Sequence, residues 1–176
     1  MKRAIIIGAT SGIGLEVARI WATRGWRLGI AGRREEALLR FRAQYPENQV
    51  EVQRLDVTAE DASDLLRQLI DRLGGMDVFF LSSGIGAQNP DLRPDVELQT
   101  ATTNVGGFIR LTTAAFNYFR SNGGGHIAVI SSIAGTQGLG AAPAYSATKR
   151  FQNTYIDALD QLARMQKLPI RFTDIR

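Results

Sequence analysis

Six short apolar runs, each separated from the next by a longer segment of helical period, limit what this chain can fold into. The runs lie near residues 3–7, 27–31, 49–55, 77–82, 125–131 and 169–175 and read as strands. Helices are expected between them. The clearest begins at Thr58, where Thr58-x-x-Asp61 makes a capping-box-like start; Leu65, Leu66, Leu69, Ile70 and Leu73 form one apolar stripe before Gly74-Gly75 ends it. In the first helix the recurring apolar residues are Ile13, Val17, Ile20 and Trp21. Strands this apolar have no wet face, and strict alternation with helices makes them parallel. The predicted architecture is a doubly wound α/β fold, one parallel sheet with helices on both faces. Gly123-Gly124-Gly125 reads as a tight helix-to-strand turn, and with no repeat or linker residues 1–176 are expected to form a single domain.

Composition excludes several chemistries. The chain is 44% hydrophobic, enough for one sizeable core. Its net charge is only +4 and its arginines are scattered, so no nucleic-acid surface is indicated. Without cysteine there is no disulfide, thiolate nucleophile or cysteine-bound zinc; with His126 the single histidine, no metal site is expected. Met1-Lys2-Arg3 followed by Ala4-Ile5-Ile6-Ile7 has the order of an export leader. That run breaks at Gly8 and Glu16 interrupts any continuation, which suits a buried first strand better. No stretch approaches the roughly 20 apolar residues of a membrane span. The expectation is a soluble, cytoplasmic protein without membrane contact.

In such sheets ligands sit at the carboxyl ends of the strands, so the residues just after each strand matter most. The first strand ends in Gly8-Ala9-Thr10-Ser11-Gly12-Ile13-Gly14 and leads into a helix. Glycines allow positive φ and close backbone approach to a diphosphate, whose charge the N–H groups and dipole of the helix start attract. The same loop would also serve tight helix-on-strand packing with no ligand. Further on, Tyr145 and Lys149 stand four residues apart, hence on one helix face. Of the four tyrosines only Tyr145 has a lysine at that offset. A cation beside a phenol favours its ionised form. A half-exposed Tyr and Lys on an amphipathic helix is the plainer alternative.

With these features the chain resembles the short-chain dehydrogenase/reductase family, and the resemblance runs over nearly its whole length. Gly8, Gly12 and Gly14 match the family's G-x-x-x-G-x-G cofactor loop. The resemblance implies a Rossmann-type fold that binds NAD(P) through Gly8, Thr10, Ser11, Gly12, Ile13 and Gly14. At the end of the second strand, Gly32-Arg33-Arg34 has a glycine where NAD enzymes carry an acid; Arg33 then suits the 2′-phosphate of NADP, with Arg34 read as a solvated loop charge. Asp56-Val57 resembles the pair that meets the adenine, although Asp56 could equally begin a turn. Leu81-Ser82-Ser83-Gly84 departs from the family's Asn-Asn-Ala-Gly and keeps only the glycine; Gly84 is the expected contact there.

For the chemistry, the resemblance implies Ser132 as donor to the substrate oxygen, Tyr145 as acid/base and Lys149 as holder of the nicotinamide ribose, so that Tyr145 and Lys149 also count as cofactor contacts. Asn104 matches the asparagine that holds a water in the proton relay. Ser131 is expected to serve backbone hydrogen bonding, and His126 to be structural. The implied activity is NADP-dependent hydride transfer between nicotinamide and a small carbonyl or alcohol, in a homodimer or homotetramer built on the helices carrying Asn104 and Tyr145. A non-catalytic NADP-binding sensor or scaffold is the alternative, and the epimerase/dehydratase branch ranks behind it because its glycine spacing differs. The loop from Ile133 to Pro143 is expected to border the substrate. The family continues past a strand like the last one here, so a Pro-Gly segment, substrate lid and final strand and helix are expected to be missing from these 176 residues.

Overall fold

The computed structural model describes residues 2–47 and 49–176; Met1, where the leader reading starts, lies outside them. Its strands are β1 (Arg3–Ile7), β2 (Arg27–Gly32), β3 (Val50–Arg54), β4 (Val78–Leu81), β5 (Gly125–Ile130) and β6 (Ile170–Ile175). Each agrees with a predicted run to within a residue at either end. They form one parallel sheet in the order β3-β2-β1-β4-β5-β6. β1 pairs with β2 from Arg3↔Arg27 to Ile7↔Ala31 and on its other edge with β4 from Ala4↔Val78 to Ile7↔Leu81. The winding reverses between β1 and β4. Loops leaving the two strands therefore part in opposite directions and open a crevice at the carboxyl edge.

The period of two along β1 builds both cores. Ile5 and Ile7 pack with α3 (Ala62–Leu73), α5 (Phe108–Ser121) and α6 (Pro143–Met165), whereas Ala4 and Ile6 pack with α1 (Gly12–Thr23) and α2 (Glu35–Ala43). Helices thus cover both faces, as the apolar strands require. On α3, Leu66, Leu69, Ile70 and Leu73 are buried and Leu65 partly so, at roughly 1.5–3 kcal/mol for each fully buried side chain. Gly74, at φ +77°, ends that helix, and Gly123 and Gly124, at +81° and +98°, make the turn into β5. Between β4 and β5, α4 (Pro94–Ala101) runs through a π-helical turn (Thr102–Gly107) into α5. Among the described residues no helix is long and apolar enough to cross a membrane.

Two expectations fail locally. Thr58 does not start α3, which begins at Ala62 with no side-chain cap bond from Asp61. The Thr58 amide and hydroxyl both donate to Asp56 Oδ1, at 3.0 and 2.8 Å, and this local turn outcompetes the capping box. On α1 the buried face is Gly14, Ala18 and Ala22, with Val17 and Trp21 at its margin, while Ile13 and Ile20 are 55% and 47% exposed. The cause is distance: a Cβ on Gly14 would overlap the Gly8 carbonyl, so only small residues fit where α1 meets the sheet.

Candidate active site

A cavity of about 710 Å3 follows the carboxyl edge of the sheet. Its walls are Gly8, Thr10, Ser11, Gly12 and Ile13 after β1, Arg33 and Arg34 after β2, Asp56 and Val57 after β3, and Gly84 after β4. The glycine loop is tied to β2, since the Gly8 and Ala9 amides both donate to the Ala31 carbonyl at 2.9 and 3.1 Å. Gly8 and Gly12 hold φ of +88° and +56°, where a side chain is strained. Gly14, by contrast, stands behind the cavity, where it permits the close approach of α1.

Arg34 is exposed, as expected of a solvated loop charge, but its guanidinium is also bonded. Its Nη2 donates to the carbonyl and Oγ1 of Thr10, each at 3.0 Å, and its Nε to Thr10 Oγ1 at 3.3 Å, so the guanidinium braces the loop. Gly32 makes room for that arrangement, because a Cβ there would come within 2.7 Å of Thr10 Cγ2. Arg33 is exposed on the cavity wall. The Asp56 carboxyl is held below the usual carboxylate range, first by the Thr58 amide, then by the Thr58 hydroxyl and the Arg33 charge, against an opposing effect of burial. Asp56 therefore begins a turn and also lines the cavity.

A second cavity, of about 400 Å3, adjoins the first: Ser82, Gly84, Ile85 and Ile130 line both. Tyr145 and Lys149 form part of its wall. Pro143 at the start of α6 suits a helix N-terminus, and the next turns carry the pair on one face. Glu97 of α4 fixes this end by accepting the Ala144 amide on Oε2 at 2.8 Å, while its Oε1 accepts from Asn89 Nδ2 at 2.8 Å. The Lys149 ammonium lies 5.7 Å from the centre of the Tyr145 ring. Lys149 is only 5% exposed and donates to the Ile130 carbonyl at 3.1 Å and to Gln152 Oε1 at 3.0 Å. Burial pushes its ammonium down to about 8, with Asp174 acting in the opposite direction. The chain also passes so close to the Tyr145 ring that a Cβ on Gly86 would overlap ring carbons.

The two serines fall differently from their expected roles: of the pair, Ser131 and not Ser132 lines this cavity. Ser131 lines the cavity, yet its hydroxyl donates to Asp174 and its amide to the Ile175 carbonyl. Ser132 lies one residue beyond, capping a 3₁₀ turn (Ile133–Thr136) by accepting the Ala134 amide on Oγ at 3.0 Å. That bond uses a lone pair and leaves the hydroxyl proton for a further acceptor. Asn104 is fully buried in the π-helical turn. Its side chain accepts from the Ile85 amide at 2.9 Å and donates to the Ile85 carbonyl at 2.7 Å and Thr148 Oγ1 at 3.1 Å, which fastens the loop after β4. Its main-chain carbonyl accepts from Gln152 Nε2 at 2.8 Å. His126 sits at the opposite, amino end of β5 and bonds through Nε2 to Thr173 Oγ1. A separate hollow of about 540 Å3 lies between the loop from Gly135 to Gly140 and α6.

Three contributors escape sequence reading: Arg34, Glu97 and Gln152. Gln152, three residues after Lys149, shares its helix face and could have been found by that spacing. Glu97 has no such signal, since its partners come from other segments.

The sheet order and the crevice at its reversal define a dinucleotide-type α/β protein. The sequence profile of the short chain dehydrogenase family matches residues 2–175, and the chain belongs to that family of oxidoreductases. An uncharacterised oxidoreductase of Myxococcus xanthus is 36% identical over 163 residues, covering 90% of this chain and 64% of the relative. The chain thus spans just under two thirds of that protein's length. Among solved structures, an actinorhodin polyketide ketoreductase with NADPH is 30% identical, with a TM-score of 0.86, covering 96% of this chain and 67% of that one. An alcohol dehydrogenase of Thermococcus sibiricus, complexed with 5-hydroxy-NADP, superposes with a TM-score of 0.91 at 23% identity, over 100% of this chain and 75% of its own, which shows the shared fold.

Proposed function

We propose that residues 1–176 act as one NADP-binding domain of a reductase that moves a hydride between the nicotinamide and a small carbonyl or alcohol, with Tyr145 as acid/base. The observation that carries this reading is the Tyr145–Lys149 pair on a cavity that shares its wall with the glycine-loop cavity. The residues fit a dinucleotide: Gly8 has positive φ, and a Cβ there would come within 2.8 Å of the Ser83 amide, so the loop is built for backbone rather than side-chain contacts. When bound, the nicotinamide supplies or accepts hydride at its C4.

The chain's own groups do the rest. Backbone N–H groups of Thr10, Ser11, Gly12 and Ile13, at the start of α1, attract the diphosphate. Arg33 grips the 2′-phosphate as a charge-assisted donor, and Arg34 keeps the loop in place beneath it. Asp56, Val57 and Gly84 border the adenosine side. Lys149 holds the ribose hydroxyls. Tyr145 gives a proton to, or takes one from, the substrate oxygen, while Ser132 donates a hydrogen bond to it. Asn104 keeps the loop after β4 against α6. The similarity to a ketoreductase crystallised with NADPH supports carbonyl reduction and NADP. The family resemblance supports a cytoplasmic homodimer or homotetramer.

The test is Tyr145→Phe, assayed with NADPH and a panel of ketones and aldehydes. Turnover should fall by roughly 10²–10⁴-fold, as for loss of a general acid, with NADPH affinity nearly unchanged. Full turnover in the variant would overturn the assignment.

A further inference from the structure

The buried face of α6 carries a group that the acid/base pair does not account for. Gln152 is 1% exposed, and both ends of its amide are used. Its Oε1 accepts from the Lys149 ammonium at 3.0 Å, and its Nε2 donates to the Asn104 main-chain carbonyl at 2.8 Å. A single side chain therefore joins the lysine to the asparagine carbonyl. We propose that Gln152 is the positioning residue of the Tyr145–Lys149 pair, clamping the Lys149 ammonium to the Asn104 main-chain carbonyl.

Three observations support the clamp. A buried amide is costly unless both its halves are paired, and here each meets the partner its chemistry requires: oxygen to ammonium, nitrogen to carbonyl. Orientation follows from those partners, since the reversed amide would set N–H against an ammonium. Finally, the Asn104 carbonyl lies in a π-helical turn, a departure from regular helix that often marks functional sites.

The clamp has a chemical consequence. An amide neither gains nor loses a proton near neutrality, so it fixes the lysine without relaying its proton. Proton exchange at Lys149 then takes place on its cavity side. The titratable groups facing Lys149 are Tyr145 on its own helix and Asp174 on β6, the latter paired with Arg176. Neither supplies the bond that Gln152 makes.

The inference rests on the acid/base reading of Tyr145 and Lys149, and its test is made without cofactor or substrate so that the two can fail separately. The chain has three lysines, Lys2, Lys149 and Lys167, so carbon-13-labelled lysine gives few signals, and Lys149→Arg identifies the one of interest. Gln152→Met keeps the length of the side chain and removes the acceptor; the proton affinity of Lys149 should fall about tenfold or more. Gln152→Glu places a carboxylate there, and that affinity should rise about tenfold or more. In the unaltered protein the Gln152 side-chain amide resonances should move with the same midpoint as Lys149, a readout that needs no variant to fold. Amide resonances that stay fixed through the Lys149 titration, or a Lys149 midpoint unmoved in the folded variants, overturn the proposal. If Tyr145→Phe retains turnover while the Lys149 midpoint moves as expected, the acid/base reading fails and the clamp stands.

Discussion

Lys149→Met isolates the energetic cost of keeping an ammonium beneath Tyr145. In the folded protein burial lowers the Lys149 pKa from 10.5 to about 8. The unfolded chain keeps this proton up to about 10.5, so between those values it binds the extra proton and stability rises with pH. Below pH 8 both states carry the proton and the full cost is present. At about 1.4 kcal/mol per pH unit, the window corresponds to about 3 kcal/mol. Methionine also deletes the bonds to the Ile130 carbonyl and Gln152. The variant binds no proton at this position, so whatever those bonds contribute, the change with pH of the stability difference reports the proton linkage of Lys149. Urea unfolding of both proteins at pH 7, 8, 9 and 10 should show the unaltered protein gaining about 2–3 kcal/mol on the variant, nearly all of it above pH 8. Stability curves that stay parallel across this range would refute the reasoning, because they would mean that Lys149 titrates like an exposed lysine.

Other substitutions separate the parts of the site. Gly14→Ala drives a methyl into the Gly8 carbonyl and should cost about 1–3 kcal/mol in urea unfolding, with NADPH and NADH binding weakened alike; unaltered stability would contradict the packing role given to Gly14. Gly86→Ala presses on the Tyr145 ring and should lower kcat about tenfold or more while NADPH affinity stays within about twofold, since small displacements of a catalytic group are costly. A variant with normal kcat would mean that the ring position is not critical. Arg33→Ala should weaken NADPH about tenfold or more and leave NADH nearly unchanged, as loss of a charge-assisted bond predicts. Equal loss for both cofactors would remove the phosphate role.

Much of this arrangement was legible because it depends on local pattern. The strands announce themselves as short apolar runs, buried on both faces in β1, β2 and β4, although β6 at the sheet edge leaves Arg171, Thr173 and Ile175 exposed, and the sheet's parallel order follows from the helices between them. The glycine loop, the Tyr145–Lys149 offset and Gly32-Arg33 are contiguous or share one helix, so spacing is enough to find them. Pattern fails where tertiary distance decides. Ile13 and Ile20 look like the core face of α1, but the close passage of Gly14 over Gly8 turns Ala18 and Ala22 inward instead. Thr58 has the form of a cap, yet Asp56, two residues earlier, captures its amide. Arg34 keeps the exposure of a loop charge, and only the fold shows that it is bonded to Thr10. Glu97 reaches Ala144 across 47 residues of sequence, and Gln152 reaches Asn104 across 48; only the packing of α4 and the π-helical turn against α6 makes those contacts.

The most direct test of the central claim is a titration of the chain with NADPH and with NADH, followed by nicotinamide fluorescence, and then a panel of carbonyl substrates on the same sample. The account predicts NADPH binding at least about tenfold tighter than NADH, the scale of one charge-assisted contact, together with carbonyl-dependent NADPH oxidation. Equal affinity for the two cofactors, or no binding of either, would contradict it.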